Sequence, residues 1–275
     1  MKRKLLFPLY LFFSFFLFAL DEASPRESSN HIFDASLTFA IPIDANNVYE
    51  YQAFNLEFSP NNKQARWVGY FISRERLEMA KIKRKGFSFL EDKKIKGGSA
   101  DDNDYKHSGY DRGHLVPARD MAFSKETLKE SFLFSNISPQ LPKFNRGKWA
   151  ELESYVRDIA KKYELIYVIT GPIFDKTDKK IGINDVSVPS YFFKALLFYS
   201  ASKVEAIGFI MPNQKITESL EYFACSIDSL EFLVEIDVFA SLPDDIEEIA
   251  EKSYSKKFWF GEGEALELEI DETNE

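Results

Sequence analysis

Three histidines, His31, His107 and His114, are the only imidazoles in this sequence of 275 residues. They are its candidates for a proton acceptor near neutral pH. His114 alone stands in a setting suited to cutting a phosphodiester. The run Tyr110-Asp111-Arg112-Gly113-His114 puts a cation two positions before it and a glycine where backbone can come close. A lone histidine is more often a satisfied structural residue, so the reading leans on a second series. Asn145, Trp149, Glu153 and Arg157 recur every four residues. On a helix each step of four advances about 40°, which makes the four a slanted stripe. Asn145 falls near the start of that helix, where free backbone N–H groups favour anions. A neutral amide oxygen, a carboxylate further along and a nearby imidazole together suit a hard, largely hydrated Mg²⁺. The helix alone also reads as a capped helix with Trp149 packed and Glu153 paired with Arg157. Joined to the His114 run, it points to metal-assisted attack on phosphorus.

Residues 145–163 must form the helix that presents this stripe. Leu152, Tyr155, Val156, Ile159, Ala160 and Tyr163 recur at helical spacing as its core-facing side. Lys125 to Phe134 reads as a short helix with Ser124 as N-cap. Alternation over residues 49–58 and the run 66–73 predict two strands joined by the Pro60-Asn61-Asn62 turn. Further strands are expected at Leu165–Thr170, Tyr191–Tyr199 and Val204–Met211, with short helices opening near Ser229 and spanning Asp244 to Lys252. Residues 92–108, charged and glycine-containing, read as an exposed loop. The chain has no visible repeat, and 36–260 reads as one α+β domain, a mixed or antiparallel sheet core with helices.

At 45% hydrophobic and 16% aromatic the chain is globular, not disordered. Lys2, Arg3 and Lys4 followed by the apolar run Leu5–Leu20 read as a signal peptide over residues 1–20, too short to span a bilayer. An uncleaved tether is the alternative, since no clear small-residue cleavage triplet precedes Asp21. Residues 21–35 read as a flexible leader. These features predict a secreted or periplasmic protein, with no stable membrane association once the signal is removed. Removal of three positive charges takes the net charge from −9 to −12. One cysteine, Cys225, excludes an internal disulfide and reads as an inert packed thiol. An acidic chain is not a generic coat for nucleic acid. Its charge is uneven: eight Lys/Arg fall between Lys63 and Lys85, and seven acids with no base lie in the tail 261–275. The basic stretch is the expected place for gathering a polyanion. The acidic tail reads as a solubilising segment or as a polyanion mimic that screens the cleft.

The chain resembles the DNA/RNA non-specific endonucleases. The residues that carry the resemblance start with Trp67-Val68-Gly69-Tyr70, Ser108 through Leu115 and Ser135-Asn136-Ile137-Ser138-Pro139-Gln140. They continue through Asn145 to Arg157, Thr170-Gly171-Pro172, Val188 to Lys194 and Met211-Pro212-Asn213, covering about residues 50–250. The resemblance implies a ββα-metal active site and hydrolysis of DNA and RNA to 5′-phosphate and 3′-hydroxyl ends. It implies His114 as general base, Asn145 as the one direct protein ligand to Mg²⁺ (Mn²⁺ as the alternative ion) and Glu153 as the carboxylate holding metal-bound water. Arg112 and Arg157 resemble the cations beside the scissile phosphate, and Arg84 a further transition-state arginine. Asn136 and Gln140 resemble residues lining the cleft, or else bond backbone in turns. A homodimer is compatible with this reading. A binding protein that keeps the fold without turnover, or a nuclease restricted to one nucleic acid, are its rivals.

Overall fold

A computed structural model describes residues 40–42, 48–175 and 179–261. The segments read as signal and leader, and residues 262–275 of the acidic tail, lie outside the described residues. Seven antiparallel strands form the main sheet: β1 (Val48–Glu50), β2 (Phe54–Ser59), β3 (Gln64–Ser73), β6 (Leu165–Ile173), β9 (Tyr191–Ser200), β10 (Lys203–Pro212) and β11 (Ala224–Cys225), in that spatial order. Two small ribbons accompany it, β4 (Asp111–His114) with β5 (Ile137–Gln140) and β7 (Lys180–Ile181) with β8 (Val186–Ser187). The helices are α1 (Arg74–Met79), α2 (Asp102–Tyr105), α3 (Lys125–Ser131), α4 (Ala150–Tyr163), α5 (Ile227–Val234), α6 (Asp244–Lys252) and α7 (Lys256–Phe260). The expected α+β class, with an antiparallel sheet and helices, is what the chain adopts.

Strands β3 and β6 are buried along nearly their whole length, and β9 from Phe192 to Leu197. Their near-continuous apolar runs are therefore those of strands covered on both faces. Val68, Tyr70 and Ile72 alternate along β3 and share one core with Ile166 and Val168 of β6 and with Leu152, Val156, Ile159 and Ala160 of α4. The predicted helical stripe thus packs where its spacing requires. Its two tyrosines sit at the rim of that core and fasten α7: Tyr155 donates to the Trp259 carbonyl at 2.6 Å and Tyr163 to that of Phe258 at 3.1 Å. Ser124 caps α3 by accepting from the Thr127 N–H.

Two expectations need correction. The helix at 145–163 is not one regular helix. A wide turn over Phe144–Trp149 precedes α4, and Gly147 inside it has non-helical angles (φ −109°, ψ −111°). Glycine tolerates that break at little steric cost, and such wide turns recur at functional sites. Residues 92–108 are not an exposed loop either. Asp92, Ile95, Ser99, Ala100, Asp104 and Tyr105 are buried. The Asp92 carboxylate accepts from the hydroxyls of Tyr51 and Ser135, and Asp104 serves both the α2 capping box and Asn184. Composition reads these acids as solvated, but local donors satisfy them inside.

Candidate active site

Antiparallel β4 and β5, followed by the wide turn and α4, bring the chemistry-bearing residues together. His114 pairs in register with Ile137, and Asp111 with Gln140. Gly113 leaves room for the Gln140 side chain. A side chain there would drive Cβ to 2.2 Å from Cδ of Gln140. The close approach expected of this glycine is made by the neighbouring strand. His114, Arg84, Arg112, Arg119, Asn145, Glu153 and Arg157 line one open cleft of about 380 Å³, with Ala80, Ile82 and Pro117 among its walls.

His114 is buried between two rings, 5.5 Å from Phe89 and 5.0 Å edge-on from Phe132, and its Nε2 has no hydrogen-bond partner. Burial and the Arg84 guanidinium push its pKa down to about 3. The imidazole is therefore neutral at ordinary pH and ready to accept a proton. An anion entering beside Arg84 would offset that cation and raise the basicity of the ring toward the useful range. The backbone beyond His114 is held by Asn136. Its Oδ1 accepts from the Val116 N–H at 2.9 Å, and its Nδ2 donates to the carbonyls of Val116 and Ser131.

Asn145 donates from Nδ2 to Asp111 Oδ2 at 2.9 Å. Asp111 is gripped on its other side by Arg146, through Nε at 2.8 Å and Nη2 at 2.6 Å. Burial pulls the Asp111 carboxyl upward, but the bonds from Arg146 and Asn145 outweigh it and hold the group below the ordinary range. A permanent carboxylate can only accept, so it fixes which end of the amide it meets and leaves Oδ1 of Asn145 for the cleft. The Asn145 N–H is already bonded to the Leu141 carbonyl. The expectation of free helix-start donors at this residue is thereby corrected.

Glu153 reaches the cleft from the first turn of α4. Desolvation raises its pKa, with Asp120 adding to the effect and Lys194 and Arg157 opposing it. Arg157 is buried and its Nη1 meets Asp120 Oδ1 at 3.0 Å. Lys194 is fully buried, its ammonium 4.8 Å from the Trp149 ring centroid and lacking a hydrogen bond. Trp149 itself is a core residue against Phe144 and Phe192, not a member of the cleft stripe. Arg112 pairs with Asp102 at 2.7 Å while its buried Nε has no partner.

The donor set fits a hard divalent cation. It offers one neutral oxygen, one recessed carboxylate and room for water, which is how Mg²⁺ is held when it keeps most of its hydration. Among the described residues, closely spaced groups of three acids lie elsewhere, at Asp228, Glu231 and Glu251 and at Asp237, Glu247 and Glu251.

A family model described as DNA/RNA non-specific endonuclease matches residues 35–245. The chain belongs to the DNA/RNA non-specific endonuclease family. It is accordingly a hydrolase of the nuclease class. It is 36% identical over 227 residues to the protein named Endonuclease G, mitochondrial, of Caenorhabditis elegans, covering 77% of this chain and 73% of that one. The human protein of the same name is 34% identical over 194 residues, 66% of this chain and 65% of that one. The mitochondrial nuclease of Saccharomyces cerevisiae is 32% identical over 202 residues, 64% and 60% of the two chains. A crystal structure of the EndoG/EndoGI complex is similar with a TM-score of 0.70 at 27% identity, covering 76% of this chain and 92% of that one.

Of the residues expected in the endonuclease site, the cleft gathers His114, Arg112, Asn145, Glu153, Arg157 and Arg84. Asn136 and Gln140 do not reach it. Both are fully buried, Asn136 as the clamp on backbone just described and Gln140 beneath Gly113. The Asn136 amide satisfies backbone, whereas the buried Gln140 amide has no hydrogen-bond partner on either its oxygen or its nitrogen. Sequence reasoning missed Arg119 in the cleft wall, Asp120 and Lys194 behind it, and Arg146 on Asp111. The pattern of acid facing base across β4 and the wide turn was a usable signal for Arg146. Arg119 lies in a turn with no periodicity to mark it.

The basic stretch 63–85 is not one patch. Arg66 bonds the Glu235 carbonyl and Glu57, Arg74 bonds Glu164, and Lys63 bonds the Gly97 carbonyl. Arg76 stacks on Phe71 with its guanidinium 3.6 Å from the ring centroid. Arg84 is the member of that stretch that lines the cleft.

Proposed function

We propose that the chain is an exported, Mg²⁺-dependent endonuclease that hydrolyses both DNA and RNA, leaving 5′-phosphate and 3′-hydroxyl ends. The observation that carries the reading is the meeting of an unpartnered neutral imidazole, an oriented amide oxygen and four arginines in one cleft. His114 takes the proton of a water as its oxygen bonds to phosphorus. The bond from phosphorus to the 3′ oxygen breaks on the far side, and that oxygen leaves with a proton from solvent. Asn145, with Glu153 beyond it, would hold the ion. When bound, the ion supplies neutralisation of charge on the phosphate and the departing oxygen. Arg84, Arg112, Arg119 and Arg157 hold the nonbridging oxygens. These groups touch the backbone of a nucleic acid and not its base edges, so selection by sequence or sugar is not built into them.

Export is supported by the charged start and apolar run at residues 1–20, while the named relatives are mitochondrial proteins. The domain plan of signal, leader, endonuclease domain 36–260 and acidic tail belongs to the same proposal. Purified protein lacking residues 1–20 is to be incubated with plasmid DNA and structured RNA, with Mg²⁺ or Mn²⁺ and with EDTA. Cutting of both polymers only with metal, with 5′-phosphate ends, is the expected result. Failure to cut either at any divalent ion and pH would sink the enzyme reading, and cutting of one alone would restrict it.

A further inference from the structure

A second hollow lies beside the catalytic cleft, and nothing in the reaction above uses it. It encloses about 450 Å³ and is lined by Tyr110, Lys179, Tyr191, Asn213 and Gln214, with Asp175 on its wall. Volumes of this order suit one small planar ligand group. Two links tie the hollow to the cleft. Tyr110 directly precedes Asp111, so it is joined to the strand that carries Arg112 and His114. At about 3.3 Å per residue, Tyr110 and His114 stand roughly 13 Å apart along that strand. Leu141 also lines the hollow, and its carbonyl accepts the N–H of Asn145. The floor is rigid. Asn213 donates to the carbonyls of Pro139 and Pro189 and accepts from the Leu141 N–H, joining β5 and the residue after it to the segment that leads into β9.

The chemistry of the lining is that of a stacking platform. Tyr191 opens β9 with 46% of its surface exposed, unusual for a large aromatic side chain with no core to serve on that face. Lys179 places its ammonium 5.5 Å from the centroid of the Tyr110 ring. Gln214 is exposed at the edge and carries both donors and an acceptor. Flat aromatic faces, a cation and an adaptable amide bind nucleobases without reading them.

We propose that this hollow is a subsite for a nucleobase of the same strand, a few nucleotides from the scissile phosphate, stacked on Tyr191 and Tyr110. The proposal rests on the nuclease reading and deepens it: the preferred substrate is a strand long enough, and sufficiently unpaired, to fill both hollows. It is tested with Tyr191→Ala, Tyr191→Phe and Gln214→Ala. Binding of a fluorescein-labelled single-stranded oligonucleotide in EDTA is followed by anisotropy. Cleavage is compared on that strand and on a minimal bis-aryl phosphodiester. Loss of one stacking partner is expected to weaken strand binding about tenfold. The ratio of kcat/KM on the strand to that on the minimal diester falls by a similar factor, and Tyr191→Phe restores both. Gln214→Ala has the smaller effect in the same direction. An unchanged Kd, a Phe variant no better than Ala, or equal losses on both substrates would overturn the subsite. A wild-type chain that binds the strand through Tyr191 but cuts neither substrate would instead overturn the nuclease reading and leave the subsite standing.

Discussion

The catalytic cleft and the helical flank formed by α5 and α6 show opposite ways of gathering charge. The cleft gathers Arg84, Arg112, Arg119 and Arg157 around a single carboxylate, Glu153, with Asp120 held behind. The flank gathers Asp228, Asp244, Glu247, Glu248 and Glu251 against Lys252 alone in a hollow of about 290 Å³. A net charge of −9 therefore says little about the surface that meets substrate. Cations are concentrated in the proposed docking cleft, and a cluster of acids is placed on another surface, where burial and neighbouring acids raise Glu247 and Glu251. Solubility and substrate attraction are served by different surfaces.

The sharpest test of this division is at the cleft's neutral base. His114→Ala is expected to lower kcat by about 10²–10⁴-fold, the range for loss of a general base. The fold should survive, because the Nε2 removed has no partner to orphan. Residual activity within a few-fold of wild type would move the base elsewhere. Next in size is the support behind the cleft. Asp120→Ala leaves Arg157 buried without its counter-charge, and breaking such a pair costs about 3–5 kcal/mol. Denaturant unfolding measures this loss. Removing Glu248, an exposed member of the flank, should change stability by less than about 0.5 kcal/mol. Equal effects at the two positions would erase the contrast between a supported site and a solvated face.

Much of this arrangement was legible before any coordinates, and the limits of legibility are physical. Apolar runs marked β3, β6, β9 and β10 because buried strands have no polar face to show. The α4 stripe was legible because a helix against a sheet must repeat its contacts every turn. His114, Asn145 and Glu153 stood out because the proposed chemistry needs these residue types in a fixed order. Local backbone choices were not legible. Nothing in the residues around Gly147 distinguishes a wide turn from a regular one, and Asp92 and Asp104 look solvated until Tyr51, Ser135 and Asn184 are brought to them through space. For Asn136 and Gln140 both readings stayed open for the same reason. A polar side chain in a motif does not reveal whether it faces substrate or the interior, and in the fold Asn136 bonds backbone while Gln140 is buried without a partner.

Salt offers a finer probe of the two surfaces. Each phosphate neutralised by the protein adds about −0.9 to the slope of log K against log salt on duplex DNA, and about −0.7 on a single strand. Arg119→Ala should make that slope shallower by about one contact, as measured by binding in EDTA. Glu248→Gln should leave it unchanged. A slope that responds to Glu248 would mean that the flank, and not the cleft alone, feels the substrate.

The smallest effect is the most diagnostic, because the two regions should answer pH with opposite signs. In the cleft, burial and Arg84 depress His114 to about 3, below its unfolded value near 6.5. The unfolded chain then binds the extra proton, so stability is lost as pH falls through that interval. On the flank, burial, with Glu231 and Glu247 close by, raises Glu251 to about 8, and Glu231 is raised to about 7. Here the folded chain binds the extra proton. The contribution is fully present below the ordinary glutamate range and is lost as pH rises through about 8. Glu251→Gln should therefore raise the melting midpoint at pH 8 by a few degrees and leave it nearly unchanged at pH 5. His114→Phe should do the reverse, easing the loss on the acid side and leaving the alkaline side alone. Activity gives an independent reading of the same division. It should climb as pH passes above the ordinary carboxylate range, because Glu153 is held partly protonated and must ionise to serve the ion. Glu251→Gln should not move that limb. A shift of the activity profile on changing Glu251 would show that the acidic flank is electrostatically coupled to the cleft, and the separation of the two surfaces would fail.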